Sequence, residues 1–167
     1  MIPTKDVDYT FRCIEETFDK SKSSDSFMIT REWELVSPDS VLIDGEEFSI
    51  AGMKFTQRLV TKVSDGKGGF DSNKTKLAMG RLYNDYDKFG IDKDEVIDES
   101  NPRLLAKGKL ARFSMRNKEE KWTEKLTEAE VKAGKKYGEG APIIDPDTGK
   151  QKVSIKPELG FLLEVIS

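Results

Sequence analysis

A mainly β chain with one helix between its third and fourth strands is what the sequence predicts, and three observations predict it. Apolar and polar residues alternate with period two over several stretches of the first half and again near residue 110, as in half-buried strands. Only one stretch, about 73–89, carries apolar residues at helical spacing. Clusters of Gly, Pro, Asp and Ser separate these runs, as turns do.

The first strand is read from Val7, Tyr9, Phe11 and Cys13 alternating with Asp8, Thr10 and Arg12. Ile14 and Phe18 break that alternation, so a bulge or the strand's end is expected near Glu15. Residues 19–26 are a polar connector. In the second strand Phe27, Ile29, Trp33 and Leu35 share one face, with Thr30, Glu32 and Glu34 on the other. Val41-Leu42-Ile43 is a short apolar run, and Asp44-Gly45 signals a turn. Residues 48–63 form the longest strand candidate, with Phe55, Gln57, Leu59, Thr61 and Val63 on one face and Lys54, Thr56, Arg58, Val60 and Lys62 on the other. Gly52 marks a bend within it.

The helix expected over 73–89 uses Leu77, Leu82, Tyr86 and Phe89 as its apolar stripe, and Gly90 as its stop. Residues 109–116 alternate again, setting Leu110, Arg112, Ser114 and Arg116 against Lys109, Ala111, Phe113 and Met115. Residues 117–157 read as an inserted arm or excursion, with a capping box at Thr127 and Glu130, a short helix cut by glycines, and a tight turn at 145–150. Phe161, Leu163 and Val165 suggest a buried closing strand.

A chain of 167 residues suits a single domain. At that size roughly 68–70% of the unfolded surface is buried. With 36% hydrophobic and 35% charged residues it is neither membranous nor disordered throughout. The absence of His removes His-dependent triads, dyads and zinc sites, and one Cys removes internal disulfides and cysteine-cluster metals. The opening residues are too polar for a signal peptide, and a cytoplasmic location is expected. The net charge of −3 conceals an asymmetry: residues 107–136 carry ten Lys or Arg against five acids, while residues 1–106 carry 15 against 21. A basic stretch in an acidic chain can be an anion-binding face, although solvated surface is its commoner use.

The glycine-rich loop Gly66-Lys67-Gly68-Gly69 fits neither phosphate-loop pattern. The calcium-loop echo at Asp85–Gly90 lacks oxygen ligands at Phe89 and Val96. No metal, cofactor or catalytic residue is therefore expected. What rises above background is cations beside aromatic rings on strand-like segments: Lys54, Arg58 and Lys62 on one strand face, Arg112 and Arg116 on another, with Lys67, Lys109, Trp33, Phe70 and Trp122 near them in sequence. Single strands of nucleic acid are held this way, because cations attract phosphates and ring faces stack exposed bases. Half-solvated strands also carry Lys and Arg outward while rings fill a core, and Phe11, Phe55, Phe113 and Cys13 are assigned to that core.

In their order, Tyr9-Thr10-Phe11, Lys20-Ser21-Lys22-Ser23, Phe27 to Leu35, Leu82 to Ile91 and Leu105 to Arg112 resemble the small phage-encoded single-stranded DNA-binding proteins of replication and recombination, over roughly two-thirds of the chain. The resemblance implies an OB-like five-stranded barrel. It also implies a non-enzymatic, sequence-tolerant single-stranded DNA-binding function in an infected host cell. The 117–157 arm would then fold over DNA or meet a neighbouring protomer, and other replication or recombination proteins are candidate partners, as is a homo-oligomer. The alternatives are a protein-interaction or virion-assembly module and, ranked last, a small metal-dependent nuclease.

Overall fold

The computed structural model describes residues 1–22 and 24–167; Ser23, the end of the Lys20–Ser23 string, lies outside the described residues. The first strand, β1, runs Tyr9–Lys20 and pairs antiparallel with β2, Phe27–Ser37. The break in alternation at Ile14 is a register shift between Cys13 and Glu15, and the strand continues beyond it. Tyr9, Phe11, Cys13 and Glu16 of β1 are buried, as are Ile29, Arg31, Trp33 and Leu35 of β2.

Residues 40–49 form a hairpin of β3 (Ser40–Ile43) and β4 (Glu46–Ser49). Its turn, Asp44-Gly45, takes φ of 52° and 80°, which glycine adopts without cost at its second position. The expected long strand over 48–63 is therefore split, with β5 confined to Lys54–Lys62, antiparallel to β2. Helix α1, Ser72–Lys88, starts where the Asp71 carboxylate accepts the Lys74 N–H at 3.0 Å, and is followed by Gly90 at φ 83°. Strand β6 is Leu110–Lys121, α2 is Glu128–Lys132 with its Thr127/Glu130 capping box, and β7 is Val153–Val165.

The result is a mainly β fold: an antiparallel five-stranded sheet in the order β5-β2-β1-β6-β7, the hairpin, and two helices. Among the described residues no ladder joins β5 to β7, so the barrel is not closed. A groove of about 630 Å³ lies there instead, lined by Gln57 and Leu59 of β5 and by Gly160, Phe161 and Leu162 of β7. At the same edge the Lys88 ammonium donates to the Leu163 carbonyl at 3.4 Å. Phe161 is 78% exposed, so the final strand does not bury the apolar residues expected of it.

By packing, the chain falls into two compact units, Pro3–Met115 with Leu159–Ser167, and Met1–Ile2 with Arg116–Glu158. In the larger unit Phe11 meets Phe55 and Phe113 edge-on, and Trp33 meets Phe113 at 4.9 Å between centroids. A second cluster places Met79, Leu82 and Tyr86 of α1 against Ile29 and Ile97. The two clusters flank Arg31, whose side chain is wholly buried. Its Nη1 and Nη2 donate to the two Asp85 oxygens at 2.8 Å each, and its Nε donates to Glu16 Oε2 at 2.7 Å. The other Glu16 oxygen accepts the Ala106 N–H at 2.8 Å, and the guanidinium lies 4.9 Å from the centre of the Phe89 ring. This bidentate pair fastens α1 to the two central strands. Cys13 is buried, and burial, aided by the Glu16 charge, pushes its thiol up to about 11.

Candidate nucleic-acid interface

The face of the sheet opposite the core is set by the same alternation that buries Trp33. Across β5, β2 and β1 it places Arg58 opposite Thr30 and Thr30 opposite Thr17; nearby, Val60 faces Met28 and Lys54 faces Glu34. A groove of about 620 Å³ opens there, lined by Lys20, Lys22, Met28, Thr30 and Arg58 together with Asp19, Ser21 and Ser24. Lys20 pairs with exposed Asp25 at 3.6 Å. Lys22 and Arg58 are exposed, and among the described residues neither has an ion-pair partner. Lys22 and Arg58, with Lys20 shared with Asp25 and with Asp19 alongside, make a mainly polar surface whose cations can meet phosphates.

Other expected members of the site fall elsewhere. Thr61 is buried on the face expected of it, and a register shift between Phe27 and Met28 then ends the alternation that would have aligned Lys62 with Arg58. Lys62 instead lies 4.3 Å from the Phe70 ring centre, pairs with Glu99 at 3.9 Å, and lines a groove beside Thr75 and Met79 of α1. Phe70 stacks on Phe27 at 5.5 Å, so its ring is already engaged by Phe27 and Lys62. Trp33 is 0% exposed, and its indole N–H donates to Gln57 Oε1 at 3.0 Å. Sealed in the core against Phe113 and Gln57, it has no face to offer a base.

Arg112 shares the outer face with Arg58, through Thr10 of β1. Thr10 and Thr17 are seven residues apart, so the two arginines are separated by on the order of 20 Å along the strand. Its charge is met by Asp8 at 3.2 Å and Glu164 at 3.3 Å. Lys109 is exposed just ahead of β6, where its carbonyl accepts the Cys13 N–H. Lys67 is exposed on a loop held by Asp65, whose carboxylate accepts the N–H groups of Lys67 and Gly69.

The smaller unit holds Arg116, paired with Glu158, and Trp122, 47% exposed. Its backbone is stitched around the indole: Trp122 N–H donates to the Lys152 carbonyl at 2.7 Å, while its own carbonyl accepts from Ile143 N–H and Gln151 Nε2. Gly140 abuts the Glu124 backbone carbonyl so closely that a Cβ there would collide with it. Lys152 Nζ lies 5.4 Å from the indole centre.

In the sequence Lys20 and Lys22 belong to a polar connector and to one string of the resemblance, with nothing to mark them as groove residues, and Tyr137 carries no assignment. Its signal was the same as that of Trp122: a large ring within a run of charges and glycines. No family model matches the chain, and no curated protein or solved structure matches it either.

Proposed function

We propose that this protein is a non-enzymatic, sequence-tolerant single-stranded DNA-binding protein of phage replication or recombination, built on an OB-like barrel opened along one seam. The observation that carries the reading is the strand order. Taking β1, β2, β5, β6 and β7 as strands one to five, the sheet runs 3-2-1-4-5, with α1 between the third and fourth and the β3–β4 hairpin inserted between the second and third. In OB folds the face of strands two and three and the loops after strands one and four take single strands. The Lys20, Lys22, Thr30 and Arg58 groove occupies the corresponding face, beside the loop after the first strand. Other replication or recombination proteins are natural partners of such a complex.

Anisotropy of a labelled oligothymidylate tests the reading. Binding is expected to weaken steeply as salt rises. The triple variant Lys20→Ala, Lys22→Ala, Arg58→Ala should flatten the logarithmic salt slope by about 2, at roughly 0.7 per phosphate contact on single strands. Absence of binding at low salt overturns the proposal. A second reading, a protein-assembly module, draws on the exposed Phe161 and Leu163 of β7. It predicts a stable oligomer on size exclusion and no salt-sensitive DNA affinity.

A further inference from the structure

Two large rings in the smaller unit are left in water. Trp122 is 47% exposed and Tyr137 is 92% exposed, and both line one groove of about 440 Å³ with Lys118, Lys121 and Lys156. That volume falls within the roughly 300–1,000 Å³ typical of small-molecule sites. Among the described residues the two rings make no stacked or edge contact with each other, so the space they border is open.

The backbone around each ring is hydrogen-bonded. Trp122 is held by the three hydrogen bonds given above. Tyr137 occupies the turn after α2, where Lys136 N–H donates to Glu139 Oε2 at 2.8 Å and Glu139 N–H donates to the Lys136 carbonyl at 3.0 Å. The indole is also a wall of a second groove, lined by Lys150, Lys152 and Asp145, and the lysine over its ring belongs to that side. The charge at the Tyr137 groove is positive: Glu120, its acid, is paired with Lys156 at 2.6 Å, whereas Lys118 and Lys121 have no ion-pair partner among the described residues. A planar aromatic group attached to anionic groups is what two separated rings rimmed by lysines would take.

We infer that Trp122 and Tyr137 clamp one unpaired nucleobase of a single strand between them, with Lys118 and Lys121 on the flanking phosphates. This rests on the single-strand-binding reading and adds a second contact site, on the smaller unit. Stacking on one aromatic side chain is worth about 1–3 kcal/mol by alanine substitution.

The test measures affinity of the full chain for labelled oligothymidylate and for an abasic strand of equal length. Trp122→Ala and Tyr137→Ala should each weaken oligothymidylate binding roughly 5- to 150-fold. The double variant should lose much less than the product of the two, because both rings serve one base. Tyr137→Phe should keep the affinity, and affinity for the abasic strand should stay unchanged in every variant. Far-ultraviolet circular dichroism verifies that each variant is folded. If the native chain binds oligothymidylate and either alanine variant binds as tightly, the clamp is wrong and the single-strand reading stands. Equal losses on the abasic strand, or fully multiplicative losses in the double variant, also overturn it. No binding by the native chain removes both.

Discussion

Replacing Arg31 with Met would strand two buried carboxylates, Glu16 and Asp85, whose charges are met by the one guanidinium. Burial pushes the Asp85 carboxyl up, and the hydrogen bonds and charge of Arg31 oppose that shift. Breaking a buried pair on one side costs about 3–5 kcal/mol, against near neutrality when every partner is replaced by apolar groups of similar shape. Arg31→Met should therefore lower the urea midpoint by an amount equivalent to about 3–5 kcal/mol, and adding Asp85→Asn and Glu16→Gln should recover part of it. Alternation does put residue 31 on the face of Ile29 and Trp33, so its position was readable. Its partner Asp85 lies 54 residues away, and nothing local in a sequence announces such a pairing. Trp33 failed as a site residue for the converse reason: a ring beside cations in sequence says nothing of which face of the strand it takes.

At the scale of elements, a period is more legible than its contents. The strands β1, β2 and β6 alternate as read, and α1 runs Ser72–Lys88 against an expected 73–89. Yet the stripe assigned to α1 included Leu77, which is 71% exposed, and omitted Thr75 and Asp85, which are buried. Those two polar residues face the sheet because each has a partner there: the Thr75 hydroxyl accepts the Val63 N–H at 2.9 Å, and Asp85 holds Arg31. Burial follows hydrogen bonding as well as hydropathy. The start of α1 depends on one side chain. Asp71→Ala should destabilise the chain by about 1 kcal/mol, read from chemical denaturation, with Asp71→Ser close to the native value. Register shifts were the other blind spot. The one at Phe27/Met28 moved Lys62 from the outer face, and no residue in β5 advertises it.

For the whole molecule, the strand order has no local signal in the sequence, because pairing partners are distant along the chain. The open seam could not be anticipated. It depends on β5 and β7 failing to meet, and Phe161 and Leu163 look in sequence like any buried strand. The excursion was visible as a change of composition from about residue 117. What it displays, Trp122 and Tyr137 at one groove, required the backbone links that draw residues 122, 143 and 152 together.

Those links have a practical corollary. The 2.7 Å hydrogen bond from Trp122 to Lys152 sets the two ends of the intervening chain side by side, as the last rung of a ladder would. Residues 123–151 are thus a tongue whose two roots lie side by side. Splicing in Asn-Gly at that point should yield a soluble, cooperatively melting protein that retains the Lys20, Lys22 and Arg58 groove and has lost Tyr137. An aggregated product would mean that the tongue is structural scaffolding; a well-behaved one would make it an interchangeable cassette.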